Sequence, residues 1–293
     1  MSELFTGPIG NSISITTARY AAILGASPSK GARSPLLWNA AFAAAGIDAV
    51  MHPMDTTAET LGAVVATLKA DPRYMGGAVT MPHKQAIVAY LDRLEPEAER
   101  IGAVNAIWRD DDGALVGGNT DGAGALAQIE GLVGGAGALK TKRTLLIGVG
   151  GAGVAIAAYL GPRVASLRLA NRTRATADDV ASRLSAIAVD YPVSREALET
   201  VDVLVNATSI GYQDGPMGSP VSVDDLAALP ADAVVYDAIY QPSETPLLQV
   251  AAARGLLARN GLGMNLDQAV IAFVKANPGA LDSDAIRAAM LMA

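Results

Sequence analysis

The spacing of apolar and polar positions divides the chain into two kinds of run. One kind predicts strands and the other predicts helices, and the two kinds alternate along the chain. Short aliphatic or β-branched runs bounded by glycine or polar residues are typical of buried strands. Such runs predict strands at residues 19–25, 48–53, 76–81, 103–109, 114–118, 144–147, 165–170, 187–190, 201–207 and 233–238. Runs with helical spacing predict helices at residues 34–45, 57–69, 85–91, 97–101, 246–254, 264–276 and 282–292, with others ending near 132 and following the strand at 144–147. This alternation indicates an α/β fold with mostly parallel strands.

Turn and capping residues mark the ends of several predicted elements. Ser34-Pro35 predicts a helix start, with Ser34 as the N-cap and proline at the first helical position, and Gly46 marks the end of that helix. Residues 110–113 predict a hairpin turn, and residues 260–263 predict another turn. Residues 133–139 contain three glycines and predict a linker. Residues 1–18 show no clear period and predict a leader or a first edge strand.

The most informative motif is the glycine-rich run that follows the strand at 144–147. Gly148, Gly150 and Gly153 have the G-x-G-x-x-G spacing, and an alanine-rich helical pattern follows. In such a loop one glycine allows a tight turn, one lets the backbone approach a pyrophosphate, and one lets helix and strand pack closely. The helix start also offers N–H groups to phosphate oxygens. A structural glycine-rich turn is the alternative, but the flanking strands at 144–147 and 165–170 favour a dinucleotide site.

The end of the second of these strands indicates which cofactor the site takes. An NAD site usually has Asp or Glu there to bind the ribose 2′-hydroxyl. This chain has Asn171-Arg172-Thr173-Arg174 instead. Because a guanidinium group matches the oxygens of a 2′-phosphate, this segment favours NADP over NAD. The alternative interpretation is a pair of surface arginines that follow a strand.

Composition narrows the class of protein. The chain has 293 residues, enough for one large or two ordinary domains. It has no cysteine and only two histidines, His52 and His83, so we expect no metal site. A net charge of -7 argues against nucleic acid as the main partner. We expect no membrane span and no signal peptide, since no long apolar run or basic-then-apolar N-terminus is present, and we expect a cytoplasmic enzyme.

Polar residues in the first half of the chain follow predicted strands, where α/β proteins place ligands. They are Thr80 with Lys84, Asn105, and the run 119–121 that ends in Asp121. A Lys–Asp pair beside a nicotinamide can move the proton that accompanies hydride transfer, and the ammonium also stabilises a developing alkoxide. Taken one at a time, such residues are more often a solvated lysine, a helix cap and a hairpin amide.

Together, these motifs resemble the shikimate dehydrogenase family. The resemblance covers nearly the whole chain after about residue 18 and rests on segments that fall in the family's order. These segments are Ser34-Pro35, Val79-Thr80-Met81-Pro82-His83-Lys84, Gly102-Ala103-Val104-Asn105, Gly118-Asn119-Thr120-Asp121-Gly122, Gly148-Val149-Gly150-Gly151-Ala152-Gly153, Asn171-Arg172-Thr173, Asn206-Ala207-Thr208-Ser209, Tyr236-Asp237 with Tyr240, and Gly261-Leu262-Gly263-Met264 with Gln268.

The resemblance implies a fold and an activity. It implies a two-domain α/β protein, with an N-terminal substrate domain of residues 1–121 and 261–293 and a Rossmann NADP-binding domain of residues 122–260. It also implies an oxidoreductase for reversible, NADP-dependent hydride transfer between 3-dehydroshikimate and shikimate, a step of chorismate and aromatic amino acid biosynthesis. The partner would be a small cyclic hydroxy acid rather than a nucleic acid or a membrane, and the chain would be a monomer or a homodimer.

The resemblance also implies roles for individual residues. Lys84 and Asp121 would be the catalytic pair. The substrate's hydroxyls and carboxylate would be held by Ser34, Thr80, Asn105, Tyr240 and Gln268. The cofactor would be lined by Gly148, Gly150, Gly151, Ala152, Gly153, Asn171, Arg172, Thr173, Arg174, Thr208 and Gly261.

One departure from the family pattern lies in the loop before the first predicted helix. The family's loop usually reads Ser-x-Ser-Pro, with both hydroxyls serving the substrate carboxylate, whereas residues 32–35 here read Ala-Arg-Ser-Pro. The loop is also one residue longer than usual. Either another polar residue of the loop replaces the missing hydroxyl, or the substrate differs. The candidates for replacement are Ser27, Ser29, Lys30 and Arg33.

The other departure lies in the cofactor segment. NADP-specific members of the family often read Asn-Arg-Thr-x-x-Arg, and Thr176 takes the place of the last arginine here. Arg174 is the candidate that compensates, so NADP stays the expected cofactor and NAD the alternative.

Two other functions are weighed against the main hypothesis. A paralogous dehydrogenase for quinate, an aminoshikimate or another cyclic polyol acid is motivated by Ala32. A regulatory NADP-binding module without catalysis is the second alternative. The presence of Lys84, Asn105 and Asp121 argues against it, since a binding module does not need them.

Overall fold

The structure of the protein is a computed structural model that describes residues 3–293, so the first two residues of the predicted leader lie outside the described chain. The strands are β1 (Glu3–Leu4), β2 (Ser14–Ile15), β3 (Arg19–Gly25), β4 (Ala49–Asp55), β5 (Tyr74–Val79), β6 (Arg93–Leu94), β7 (Ala106–Arg109), β8 (Leu115–Gly118), β9 (Arg143–Ile147), β10 (Ser166–Ala170), β11 (Ile187–Val189), β12 (Val203–Asn206), β13 (Val234–Asp237) and β14 (Leu257–Arg259).

The helices lie mostly between these strands, as the sequence pattern predicts. They are α1 (Ser34–Ala44), α2 (Leu61–Ala70), α3 (Pro96–Ile101), α4 (Thr120–Val133), α5 (Ala136–Leu139), α6 (Gly151–Leu160), α7 (Arg174–Leu184), α8 (Arg195–Leu198), α9 (Val223–Leu226), α10 (Pro246–Ala253), α11 (Leu262–Ala276) and α12 (Ser283–Leu291), with 3-10 turns at Pro28–Lys30, Ala86–Tyr90 and Gly161–Arg163. Within residues 3–293, none of these helices is both long and apolar enough to cross a bilayer.

The chain divides into two compact units. The first comprises the residues up to Thr120 together with Leu266–Ala293, and the second comprises Asp121–Asn265. Both boundaries fall inside helices, one after the first residue of α4 and one within α11. Asp121 and residues 261–265 therefore belong to the second unit, whereas the sequence interpretation places them in the substrate domain.

The first unit is built on a six-stranded mixed sheet with the strand order β4-β3-β5-β7-β8-β6. Strands β4, β3 and β5 are parallel, and β7 runs antiparallel to both β5 and β8. Alternate residues of β3 enter different cores, because successive side chains point to opposite faces. Tyr20 and Leu24 belong to one apolar cluster, and Ala21 and Ile23 belong to the other, which also contains Phe273 of α11.

The second unit is built on a six-stranded parallel sheet with the order β11-β10-β9-β12-β13-β14. The chain runs outward from β9 in one direction and then, from β12, in the other. The strand order therefore reverses between β9 and β12, where a doubly wound sheet opens a crevice for a ligand at its carboxyl edge. The predicted α/β fold, with a Rossmann-type second domain, is confirmed.

Several predicted element ends are wrong, each for a local reason. Arg33 takes the N-cap position of α1 in a helical conformation without a side-chain cap bond, so Ser34 is the first helical residue rather than the cap. The helix predicted from residue 57 begins at Leu61, because the side chains of Thr57 and Thr60 bond each other's backbone N–H groups at 3.0 and 3.3 Å. Such local bonds compete with helix formation.

Two other predictions differ from the structure, one just before α11 and one in the first 18 residues. Residues 260–263 do not form a simple turn, because Asn260 Oδ1 accepts a hydrogen bond from Leu262 N (3.1 Å) and α11 begins at Leu262. Strands β1 and β2 form their own two-stranded antiparallel sheet instead of an edge strand. The sequence pattern predicts no strand at residues 257–259, where the structure has β14.

Candidate active site and nucleotide site

The glycine-rich loop after β9 has the geometry that its spacing predicts. Gly148 has a φ of +95°, and a Cβ there would lie 2.7 Å from Thr208 Cγ2. A Cβ on Gly153 would lie 1.8 Å from the carbonyl oxygen of Gly148, so these two positions require glycine. A Cβ on Gly150 or Gly151 would meet no atom within 4 Å. The loop is therefore closed against the protein at its ends and open in its middle, at the start of α6, where a pyrophosphate would fit.

This loop forms one wall of a pocket of about 280 Å³ in the second unit. The other walls come from the segments that follow neighbouring strands, as expected at a strand-order reversal. The lining residues are Ile147, Gly148, Gly150, Asn171, Arg172, Thr173, Tyr191, Ala207, Thr208, Ser209, Ile210 and Pro216.

Only part of the expected cofactor set lines this pocket. The expected residues in the lining are Gly148, Gly150, Asn171, Arg172, Thr173 and Thr208. The expected residues outside the lining are Gly151, Ala152, Gly153, Arg174 and Gly261. The pocket therefore joins the glycine loop to the segments that follow β10 and β12.

Asn171 ties the glycine loop to the segment that follows β10. Its Oδ1 accepts a hydrogen bond from the backbone N–H of Val149 (3.3 Å), and its Nδ2 donates to the carbonyl oxygen of Thr173 (3.1 Å). The glycine loop and the segment expected to select the cofactor are thus joined by one side chain.

The two arginines of this segment have different surroundings. The Arg172 side chain is exposed at the pocket, and among residues 3–293 its guanidinium makes no hydrogen bond or ion pair. The Arg174 guanidinium donates to the carboxylates of Asp178 (Nε–Oδ1 2.9 Å) and Asp190, and to the carbonyl oxygen of Ala188 (3.3 Å). Of the two, Arg172 is the one available to a bound phosphate.

A buried polar network positions Thr208. The backbone N–H and the hydroxyl of Thr208 donate to Asn206 Oδ1 (3.0 and 2.8 Å), and Asn206 Nδ2 donates to Asp237 Oδ1 (3.0 Å). Asp237 also accepts bonds from the Thr245 hydroxyl (2.6 Å) and from the N–H of Ile239 (3.1 Å), and the residue has no exposed surface. Burial raises the pKa of Asp237, while these donors act in the opposite direction.

The first unit brings three polar side chains together. Asn105 Oδ1 accepts from the backbone N–H of Thr120 (2.7 Å), and Asn105 Nδ2 donates to Thr120 Oγ1 (3.1 Å) and to Gln268 Oε1 (3.2 Å). Asn105 and Thr120 are almost completely buried, at 3% and 1% exposure. Asp121 follows Thr120 in the chain and is partly buried. The predicted residues Asn105 and Gln268 are thus brought into direct contact.

The segment with Thr80 and Lys84 is fixed at the carboxyl end of β5. The imidazole of His83 is buried, and its Nε2 lies 2.8 Å from the carbonyl oxygen of Thr56. The carbonyl oxygen of Lys84 accepts a bond from the N–H of Val104 (2.7 Å), the residue before Asn105. Lys84 is therefore joined by one backbone hydrogen bond to the segment that leads into the Asn105 cluster, and His83 has a structural role.

The loop before α1 uses one of its hydroxyls internally. Ser29 donates to Asp55 through both its hydroxyl (2.5 Å) and its backbone N–H (3.0 Å). Ser29 is thus held by the carboxylate of Asp55 within the first unit. Ala32 is partly buried against the core that contains α1, and Ser34 is the partly buried first residue of that helix.

Two further predicted residues lie in the second unit. Tyr240 follows β13 and is exposed at 38%. Gly261 is buried, its N–H donates to the carbonyl oxygen of Ile239 (2.9 Å), and a Cβ there would lie 2.1 Å from the carbonyl oxygen of Ala238. Glycine at 261 is therefore required by the packing of this segment against the residues that follow β13.

Sequence interpretation gave no role to several residues of the nucleotide pocket and of its support. Tyr191 lines the pocket two residues after β11, and Asp237 is the last residue of β13. Both stand at the carboxyl ends of parallel strands, the edge where ligands bind, so their position was a usable signal. Pro216 carries no such signal, because it reaches the pocket through the loop after Thr208.

Among the described residues, no group of three or more His, Cys, Asp or Glu side chains is arranged to hold a metal ion.

The glycine loop and its parallel sheet define a dinucleotide-binding α/β protein of the Rossmann type, in a chain that also contains another α/β unit. The family "Shikimate dehydrogenase substrate binding domain" matches residues 24–107, and "Shikimate / quinate 5-dehydrogenase" matches residues 133–212. The shikimate dehydrogenase (NADP(+)) of Lysinibacillus sphaericus is 37% identical over 257 residues, which cover 87% of this chain and 91% of that protein. The chain belongs to the shikimate dehydrogenase family.

Solved structures agree with this assignment. Shikimate 5-dehydrogenase from Thermus thermophilus, in complex with NADP(H) and shikimate, is 30% identical with a TM-score of 0.77, covering 94% of this chain and 99% of that chain. Quinate dehydrogenase from Corynebacterium glutamicum, in complex with NAD, is 27% identical with a TM-score of 0.80 over the same shares of the two chains, 94% and 99%.

Proposed function

We propose that the protein is an NADP-dependent dehydrogenase that interconverts 3-dehydroshikimate and shikimate, a step of aromatic amino acid biosynthesis. The observation that carries this proposal is the cluster of buried Asn105 and Thr120 with partly buried Gln268, in a chain with a complete dinucleotide loop. Buried amides and hydroxyls of this kind match the hydroxyls of a polyol substrate.

Each proposed catalytic or substrate-binding residue has a defined task in this proposal. When it is bound, the nicotinamide supplies or accepts the hydride. In the direction of ketone reduction, the carbonyl carbon of the substrate gains the hydride, and the Lys84 ammonium gives a proton to the carbonyl oxygen. The C=O group thereby becomes CH–OH. Before that transfer, the same ammonium stabilises the negative charge that develops on the oxygen. Asp121 is the proposed partner of Lys84 in moving the proton, and the proposed substrate ligands are Ser34, Thr80, Asn105, Gln268 and Tyr240.

The direct test is the appearance of reduced nicotinamide when purified protein meets shikimate and NADP, with quinate and NAD in parallel. We expect the highest kcat/KM for the shikimate and NADP pair. A higher kcat/KM with quinate would favour the paralogous dehydrogenase. Tight NADP binding with no turnover of any cyclic hydroxy acid would favour a regulatory module.

We also propose a cytoplasmic location and a monomeric or homodimeric state. Light scattering of the purified protein tests the oligomeric state.

A gain of function is expected from Ala32→Ser. If the substrate carboxylate lies at the start of α1, a second hydroxyl beside Ser34 adds a hydrogen bond to a charged group, worth roughly 1.5–3 kcal/mol. The KM for shikimate should fall by about one to two decades, with little change in kcat. Ser29→Ala is the matched control, because its hydroxyl is already bonded to Asp55. A KM that Ala32→Ser leaves unchanged would contradict the placement of the carboxylate at this loop.

A further inference from the structure

The segment after β10 offers one guanidinium to the nucleotide pocket. Among the described residues that line this pocket, Arg172 is the one with a cationic side chain. Its guanidinium has no hydrogen-bond or ion-pair partner within residues 3–293 that would have to be displaced. A guanidinium in this position can bind phosphate oxygens with two parallel N–H donors.

Arg174 is bound on the protein surface instead. Its Nε lies 2.9 Å from Asp178 Oδ1, its Nη1 contacts Asp190 Oδ1, and its Nη2 donates to the carbonyl oxygen of Ala188 (3.3 Å). Asp178 lies one helical turn further along α7, and Asp190 directly follows β11. The guanidinium is therefore held from two elements at once, which restricts it more than a single exposed ion pair does.

The charges around Arg174 also oppose its use for a phosphate. One guanidinium faces two carboxylates, so the local sum of charge is negative. A 2′-phosphate placed beside Arg174 would meet the repulsion of Asp178 and Asp190 in addition to the attraction of the arginine. Thr176, an exposed residue in the first turn of α7, adds no positive charge.

We infer that Asp178 and Asp190 hold Arg174 away from the nucleotide, so that discrimination of NADP from NAD rests on Arg172. This inference depends on the proposed NADP-dependent function. It makes the two aspartates determinants of cofactor preference, although neither lines the pocket. Neutralising them should release Arg174 and strengthen binding of the 2′-phosphate.

The test uses adenosine 2′,5′-bisphosphate and AMP as probes, since these differ only in the 2′-phosphate and undergo no reaction. Their dissociation constants are measured by titration calorimetry on the full-length protein. Arg172→Gln should reduce the ratio of the two affinities by about 10- to 100-fold, because it removes charge-assisted bonds to the phosphate. Arg174→Gln, the matched variant two residues away, should change the ratio by less than about threefold.

The release of Arg174 is tested with the double variant Asp178→Asn/Asp190→Asn. We expect the affinity ratio to rise by about threefold or more, and we expect the gain to vanish when Arg174→Gln is added. The single variants Asp178→Asn and Asp179→Asn form a charge-matched pair on the same helix, because Asp179 pairs with Arg183 rather than with Arg174. A gain that survives Arg174→Gln would come from the general field alone and would overturn the inference.

The remaining outcomes separate this inference from the proposed function. If Arg174→Gln loses as much 2′-phosphate affinity as Arg172→Gln, the inference is wrong, while the proposed function of the wild-type protein stands. If the wild-type protein binds neither nucleotide, the proposed function fails, and the inference fails with it.

Discussion

Replacement of Lys84 by alanine is expected to lower kcat by about 10²- to 10⁴-fold while the affinity for NADP stays within about twofold of wild type. The expected loss is large because Lys84 is the proposed donor of the proton to the substrate oxygen and the proposed stabiliser of its developing charge. The nucleotide should still bind, since the pocket residues all belong to the second unit and Lys84 belongs to the first.

The measurement for Lys84→Ala is steady-state turnover with shikimate, paired with calorimetric titration of NADP. Lys69→Ala is the control, because Lys69 is a half-exposed lysine of the same unit that pairs with Asp92 at 2.7 Å. Exposed pairs of this kind contribute little, so the control should retain near wild-type turnover. If Lys84→Ala keeps a kcat within about threefold of wild type, Lys84 does not have the assigned role.

Replacement of Asp237 by alanine is expected to destabilise the second unit by about 3 kcal/mol. The change leaves the Asn206 amide, the Thr245 hydroxyl and the N–H of Ile239 buried without their acceptor, and each unpaired buried group costs roughly 1–3 kcal/mol. For a protein of this size the melting temperature should fall by about 6–12 °C. NADP affinity should fall as well, because Asn206 positions Thr208 at the pocket.

Thermal unfolding followed by circular dichroism tests this expectation, with Thr245→Val as a milder control that removes one donor and keeps the carboxylate.

The pH dependence of the stability gives a second readout. Burial raises the pKa of Asp237 above its value in the unfolded chain. The stability that this pKa difference contributes is therefore complete in acid and is lost as the pH rises through the folded-state pKa. Asp237→Asn should therefore gain stability relative to wild type with rising pH, and parallel pH profiles of the two proteins would contradict this.

The parts of the fold with local signals follow from the sequence. Strand β3 occupies the predicted residues 19–25, and β7 and β8 pair antiparallel across the predicted turn at 110–113. The glycine loop is equally local, because its three glycines act within six residues of chain. The contacts on which the proposals rest are not local. Asp190 reaches Arg174 across 16 residues of sequence, and Gln268 reaches Asn105 across 163.

The same distinction explains the errors at the start of α1. Ser34-Pro35 has the composition of a helix start, yet the preceding chain already turns helically and Arg33 takes the cap position. Whether Ser29 is free for a substrate depends on Asp55, 26 residues further along the chain. No pattern within the loop indicates that partnership.

Asn171 has a consequence for redesign of the cofactor preference. Its side chain bonds both the glycine loop at Val149 and the following segment at Thr173, so we expect substitutions in these two parts of the nucleotide site to be coupled. Exchange of the whole 171–174 segment for an NAD-type sequence would weaken pyrophosphate binding together with 2′-phosphate selectivity. Effects of substitutions in the loop and in the segment would not add. A successful cofactor switch would keep Asn171 and change only its neighbours.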